Sequence, residues 1–320
     1  MIIRYRNRPL PLQMLDALIP RLPSNHPQLK DLRIDAAKLQ KGYNGERKLD
    51  YHIEGLSDDF TIMADVCFSL HNKQTQIDSL IVSDHAIFIV EVKSFTGIIT
   101  FDTTLRQCYR DIEGDIERYK YPITQVQTVQ ANLLRFLQIA RQSGFPIYYF
   151  VAFSERSTYI KVKGEENSLK NIVTYVEDIP HQVRRLNEEL ASKHPIEKSS
   201  HSRNKVVQHI MRNCEDFMID IMKKYQIHPS EILSGVQCPQ CNFLGMKRKT
   251  GNWYCPSCSA TCNNAHEKAL QDFKILFNET LTNPQCRQFL QLNSRHTTKY
   301  ILQQSQNIKQ ATRYKWTIVK

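Results

Sequence analysis

The chain has 320 residues, of which 41% are hydrophobic and 23% charged, and a formal net charge of +11. That balance excludes wholesale disorder, collagen and coiled coil, and no apolar run of about 18 residues exists to span a membrane. The length exceeds what one hydrophobic core usually serves, so two or three domains are expected.

The first ten residues interleave Arg4, Arg6 and Arg8 with short apolar pieces and lack the apolar stretch of a secretory signal, so the cytoplasm is the expected compartment. Leu12, Met14, Leu15, Leu18, Ile19 and Leu22 fall in one helical pattern. Residues 1–35 are therefore expected to form a helical extension docked on the domain that follows. A helix is expected over residues 36–49. Residues 60–70 alternate as a strand, with Ile62, Ala64, Val66, Phe68 and Leu70 on one face. Residues 76–83 and 86–95 give two more strands. The second of these is apolar on both faces at its start, as a central strand is. A further strand begins at residues 97–101. A helix is expected over residues 123–142, with Val126, Val129, Leu133, Leu134 and Leu137 inward. Strands follow at residues 147–153 and 172–176. Such alternation implies an α/β fold in which helices flank a mixed sheet.

Glu91 and Lys93 are the informative residues of the central strand. They share one side, while Val90 and Val92 point to the other and fill the core. Two charges there are costly unless they are paired or bind a metal. If this strand and the one before it form a hairpin around Asp84 and His85, Asp78 comes beside Glu91. Adjacent carboxylates repel unless a cation lies between them. Asp78, Glu91 and Lys93 thus make a divalent-metal constellation with a nearby ammonium; the plainer reading is a structural Glu91–Lys93 ion pair.

The order Asp…Glu-x-Lys resembles the PD-(D/E)xK core of restriction enzymes and junction resolvases. More specifically, residues 38–155 resemble the nuclease-related domain (NERD) family. Gly45-Glu46, Gln76-Ile77-Asp78, Glu91-Val92-Lys93, Gly97, Pro122 and Gln125 carry that resemblance. It implies a restriction-endonuclease-like sheet in which Asp78 and Glu91 hold Mg²⁺ or Mn²⁺ through carboxylate oxygens. It further implies that Lys93 orients the attacking water or neutralises charge on the phosphate, and that Glu46 is a further ligand or orients one. Gln76 and Gln125 would support them. Ile77 stands where the wider superfamily motif has proline. A fold of this kind that binds DNA without turnover is the alternative.

Residues 181–235 carry charges of both signs and read as a helical linker. Residues 192–204 are polar and loop-like. An amphipathic helix is expected over residues 206–222, with Val206, Val207, Ile210, Cys214, Phe217 and Ile221 on one stripe.

Cys238-Pro239-Gln240-Cys241 and Cys255-Pro256-Ser257-Cys258, thirteen residues apart, have the spacing of a four-thiolate structural zinc ribbon. Cys262 either replaces Cys258 or is a spare thiol. The ribbon, over residues 236–263, resembles the zinc fingers at the C-termini of bacterial type I topoisomerases, which bind DNA. Lys247, Arg248 and Lys249 on its hairpin are candidate phosphate contacts. A ribbon that staples domains or binds protein is the bland alternative.

Beyond it, residues 265–281 show helical periodicity, Asn283-Pro284 starts a second helix, and Ser294 caps a third over residues 295–304. Residues 313–319 alternate like a strand. This order is that of a winged helix-turn-helix, expected over residues 264–320. Ile301 and Leu302 face inward there, while Arg295, His296, Thr297, Thr298 and Lys299 face out toward DNA. Charge agrees: residues 1–180 sum to zero, residues 181–235 to +2 and residues 236–320 to +9.

The sequence thus predicts a metal-dependent nuclease domain over residues 36–180, with Mg²⁺ or Mn²⁺ at its site and structural zinc in the ribbon. DNA is the expected partner. No membrane contact and no small-molecule cofactor beyond the metals is expected. The competing class is a non-catalytic DNA-binding accessory protein.

Overall fold

The computed structural model describes residues 1–112, 114–142, 144–193, 203–277, 280–312 and 314–318. Most of the loop expected at residues 192–204 lies outside the described residues. So do residues 278–279 of the expected first tail helix, and Arg313 and Val319 of the expected last strand.

The chain begins with β1 (Ile2–Arg4), α1 (Leu10–Leu18) and α2 (Leu29–Ile53). Next come β2 (Thr61–Leu70), β3 (Lys73–Val82), β4 (Ile87–Lys93), β5 (Gly97–Asp102), β6 (Gln107–Ile112) and β7 (Asp115–Tyr119). After α3 (Pro122–Ile139) follow β8 (Ile147–Phe153), β9 (Thr158–Lys163), β10 (Val173–Tyr175), α4 (Ile179–Lys193), α5 (Arg203–Arg212) and α6 (Ile221–Lys224). The remainder is β11 (Lys247–Lys249), β12 (Asn252–Tyr254), β13 (Thr261–Cys262), α7 (His266–Phe277) and β14 (Leu281–Thr282). The last elements are α8 (Asn283–Phe289), α9 (Arg295–Gln304), β15 (Ile308–Gln310) and β16 (Lys315–Ile318). Two compact units result. One comprises residues 1–8 and 39–217, the other residues 9–38 and 218–320.

The first unit is built on a mixed sheet in the order β1-β2-β3-β4-β8-β10. β2, β3 and β4 pair antiparallel, while β4, β8 and β10 run parallel. Successive residues of β4 divide between two cores, as the pleat requires. Ile87 and Ile89 join Leu80 and Val82 of β3, Val126, Leu133 and Leu137 of α3 and Val206 and Ile210 of α5. Phe88, Val90 and Val92 join Leu49 and Ile53 of α2 and Ile179 and Val183 of α4. Helices therefore cover both faces, and the architecture is the α/β class read from the sequence.

β2 departs from the expected alternation. Ile62 lies in one core and Val66 and Phe68 in the other. The break falls at Asp65, whose φ of 51° lies in the left-handed region and which stands unpaired between Ala64 opposite Ser79 and Val66 opposite Ile77. Leu134 is 41% exposed rather than inward. The strand at residue 97 does not extend the main sheet. It joins a second sheet in the order β7-β6-β5-β9, whose Ile99, Phe101 and Cys108 pack into the α3-side core. The helix expected over residues 206–222 is broken. α5 stops at Arg212, where Asn213 Nδ2 donates to the His209 carbonyl, and Glu215 N donates to the Cys67 carbonyl.

In the second unit β11, β12 and β13 form one small antiparallel sheet, and β14, β16 and β15 another. Their common core holds Trp253, Leu270, Phe273, Cys286, Phe289, Ile301 and Trp316. Residues 9–38 belong to this unit, against the expectation that they dock on the nuclease-like domain. The reason is Arg21, whose Nε and Nη2 donate to Asp272 Oδ2 of α7 at 3.1 and 2.9 Å. Its Nη1 donates to the Leu233 and Gly235 carbonyls, and its guanidinium lies 4.5 Å from the Phe289 ring centre. Among the described residues no helix is long and apolar enough to cross a membrane.

Candidate functional site

The β3–β4 hairpin turns at Asp84 and His85, closed by Ser83 N–H on the Ala86 carbonyl at 2.9 Å. Its paired register ends at Ser79 opposite Val90. The next positions along the two strands are Asp78 and Glu91, so the hairpin brings the two acids side by side. Asp78 Oδ2 accepts the Val92 N–H at 2.8 Å, which ties it to β4.

Glu91 is 6% exposed. Lys93 Nζ donates to its Oε1 at 2.5 Å and to Gln125 Oε1 at 3.0 Å, and Gln125 Nε2 donates to the same Glu91 Oε1 at 2.7 Å. Gln125 sits in the first turn of α3, which opens at Pro122 with a φ suited to helix entry. Burial first, then the Asp78 carboxylate, push the Glu91 carboxyl up to about 7, although Lys93 pulls it down. Both hydrogen bonds to Glu91 fall on Oε1. Among the described residues neither Glu91 Oε2 nor Asp78 Oδ1 receives a donor. Two adjoining carboxylates with unclaimed oxygens, in a low-dielectric setting, suit a hard divalent cation.

Glu46 reaches the centre from α2. Gly45 makes this possible: a Cβ there would lie 1.9 Å from Ser94 Oγ and 2.5 Å from Ser154 Oγ, at the ends of β4 and β8. Burial and then Asp78 push the Glu46 carboxyl up to about 8, against the pull of Arg6. Arg6 Nη1 donates to Glu46 Oε2 at 2.8 Å and to Asp65 Oδ1 at 3.0 Å, while Nε and Nη2 take the two oxygens of Asp50. Gln76 lies half-buried on the same side of β3 as Asp78. The structure thus gathers Glu46, Asp78, Glu91, Lys93 and Gln125 around one end of the sheet. Sequence reading missed Arg6, Asp50 and Asp65. The alternating arginines of residues 4–8 were the available signal for the first.

The cysteines make a second centre. Cys238, Cys241, Cys255 and Cys258 bring their sulfurs within 4.8 Å of one another, and among the described residues they alone form such a group of three or more. Each knuckle turns through a left-handed residue, Asn242 (φ 62°) or Ser259 (φ 61°), with Asn242 N–H on the Cys238 carbonyl and Ser259 N–H on the Cys255 carbonyl. Four thiols at this spacing fit a structural zinc ion. Cys262 stands outside the cluster, its Sγ 3.1 Å from Asn264 Oδ1.

On the hairpin, Lys247 and Lys249 are exposed. Arg248 is half-buried against the Trp253 ring at 5.4 Å, with Nη1 on the Asn263 carbonyl. On α9, Arg295, His296 and Lys299 are exposed. Thr298 is not: it is fully buried, and its hydroxyl donates to the Ser294 carbonyl at 2.9 Å. It lies three and four residues before the buried Ile301 and Leu302, so the helix phase carries it inward and removes it from the candidate contacts.

Residues 41–154 match the family model of the nuclease-related domain (NERD). That stretch, about a third of the chain, is similar to nuclease-related domains. The matched stretch contains Glu46, Asp78, Glu91, Lys93 and Gln125, and Arg6 lies outside it. The crystal structure of protein VC1899 from Vibrio cholerae is similar at 9% identity, with a TM-score of 0.23, over 51% of this chain and 36% of that one. The chain thus spans about a third of that protein's length, and so loose a superposition says nothing about function. No curated protein is significantly similar to the chain.

Proposed function

We propose that the chain is a metal-dependent nuclease that hydrolyses DNA phosphodiester bonds, with its NERD domain as the catalytic part. The observation that carries this reading is the alignment of Asp78 with Glu91 at the end of the β3–β4 ladder, with Lys93 and Gln125 bonded to Glu91. Asp78 and Glu91 would hold Mg²⁺ or Mn²⁺. When bound, such an ion polarises the phosphodiester and makes a coordinated water more acidic.

The chain's own residues have separable tasks. The Val92 N–H fixes the Asp78 carboxylate. Gln125 fixes both Glu91 and Lys93, so an ammonium stands beside the acids with its donors constrained. Lys93 orients the attacking water or offsets negative charge building on the phosphate. Glu46 and Gln76 flank these groups as positioning residues.

The second unit is proposed to bring the domain to DNA. Its ribbon core, closed by zinc on the four cysteines, presents Lys247 and Lys249. The order α7, β14, α8, α9, β15, β16 supports a winged helix in which α9 offers Arg295, His296 and Lys299. Residues 236–320 hold +9 of the net charge, which supports phosphate binding there. We take residues 36–180, 181–235, 236–263 and 264–320 as the functional divisions of the chain.

The test is incubation of the purified protein with Mg²⁺ or Mn²⁺ and several DNA forms, beside Asp78→Ala and Lys93→Ala. Metal-dependent cleavage lost in both variants is expected. Salt-sensitive DNA binding without cleavage of any form would instead establish a non-catalytic accessory protein.

A further inference from the structure

We propose that Arg6 is a tethered cation that fills the Glu46 side of the acidic centre and so limits that centre to a single divalent ion, held by Asp78 and Glu91. The inference rests on the metal-dependent reading above. Arg6 follows β1, and its side chain is 2% exposed. Every donor of its fork is used. Nη1 serves Glu46 Oε2 and Asp65 Oδ1. Nε and Nη2 grip Asp50 Oδ2 and Oδ1 at 2.8 and 3.0 Å. Nη2 also serves the Asp78 carbonyl at 2.8 Å and Ser79 Oγ at 2.9 Å.

The charges divide cleanly between the available cations. Five carboxylates, those of Glu46, Asp50, Asp65, Asp78 and Glu91, share one electrostatic neighbourhood. Arg6 bonds three of them and Lys93 bonds Glu91. The Asp78 carboxylate accepts a backbone N–H and, among the described residues, has no cation of its own. A divalent ion therefore finds open oxygens on Asp78 and Glu91. A second ion at Glu46 would have to displace, or stand beside, the guanidinium Nη1 that holds Glu46 Oε2 at 2.8 Å.

Two further features hold Arg6 in place. Asp65, which faces it, sits at the break in β2 with φ at 51°. The pairing of β1 on β2 slips by one position between Ile2 and Arg4, just before Arg6. A guanidinium stays protonated across the working range of proteins, so this cation cannot be titrated away. Arg6 acts through the acids it holds and is a positioning residue.

The experiment is a Mn²⁺ titration of the full-length, zinc-loaded protein, read by calorimetry and by the electron paramagnetic resonance of bound Mn²⁺. Arg6→Lys, Arg6→Gln and Arg6→Met are measured beside the wild type, with circular dichroism as the check of folding. One ion per chain is expected in the wild type and in Arg6→Lys, which keeps a charge at this position. Two ions, with the spectral broadening of a coupled Mn²⁺ pair, are expected in Arg6→Gln and in Arg6→Met. One ion of unchanged affinity in a folded neutral variant would remove the role of Arg6 and leave the metal centre standing. Two ions in the wild type would do the same without any variant. No Mn²⁺ bound by the wild type would overturn the metal-dependent reading itself, and this inference with it.

Discussion

Gly45 leaves no room for a methyl group, because Ser94 and Ser154 occupy that space. Gly45→Ala should destabilise the first unit by about 1–3 kcal/mol, the usual cost of overpacking, and should displace Glu46. An unchanged midpoint in denaturant unfolding would show that α2 does not approach the sheet so closely. Glu91 and Glu46 make a second prediction. Their carboxyls are raised to about 7 and about 8 from an ordinary 4.5. In the protein free of divalent ions, the native state then keeps protons that the unfolded chain releases. Stability should fall as pH rises from about 5 to about 8. Glu91→Gln should flatten that slope in urea titrations; a slope that is unchanged or of the opposite sign would contradict the burial argued for this carboxyl. At this scale the sequence was informative where chemistry is local. Asp78, Glu91 and Lys93 follow from strand parity and a two-residue turn, whereas Glu46 and Gln125 were marked only by the resemblance to the nuclease-related domain family. Arg6 and Asp65 were illegible because their meeting depends on a phase break inside β2 and on β1 pairing with a strand far along the chain.

Elements were readable where period and caps agreed. β3, β4, α3, β8 and α9 stand within a few residues of their expected spans, and Ser294 caps α9 through the Thr297 N–H. The misses have physical causes. β6 and β7 carry charged residues on both faces, as in Arg110-Asp111 and Glu117-Arg118, so no alternation marks them. The expected helix over residues 206–222 ends early, where the Asn213 side chain takes the His209 carbonyl and the Glu215 N–H turns to the Cys67 carbonyl of β2. On α9 the outward set was read one position too wide. Thr298→Ala should therefore lower stability and leave DNA affinity near its wild-type value, whereas Lys299→Ala should weaken DNA binding and reduce its salt slope by about 1. Titrations at several salt concentrations separate the two. The Arg21 anchor of residues 9–38 was also unreadable, since one arginine among apolar residues gives no partner. Arg21→Ala leaves Asp272 with its buried carboxylate facing only Lys268. It should cost about 3–5 kcal/mol, as breaking one side of a buried pair does, read as a lower melting temperature of the second unit.

Across the whole molecule, the assignment of residues 9–38 to the second unit changes what a deletion can test. Removing everything after residue 235 takes away the α7 partner of Arg21 as well as the basic tail, so lost DNA binding would have two explanations. Single exposed sites such as Lys249, Arg295 and Lys299 are the better probes. Zinc offers another reading at this scale. Both tryptophans, Trp253 and Trp316, lie in the core of the second unit. Structural zinc binds with an apparent ~10–16 kcal/mol in small zinc modules. Chelation should red-shift tryptophan emission while the first unit keeps its circular dichroism. Emission that ignores chelation would mean that the ribbon core does not depend on the metal. The partition of charge along the chain, legible from composition alone, fits this division of labour: acids that need a cation in one unit, and a surplus of cations for phosphate in the other.

Nuclease action is decided by DNA cleavage with the zinc-loaded, full-length protein in the presence of Mg²⁺ or Mn²⁺, measured beside Asp78→Ala and Lys93→Ala. Cleavage should require the divalent ion and disappear in both variants while their DNA binding persists. Cleavage that survives either substitution, or none with any DNA form and either metal, would contradict the proposed function.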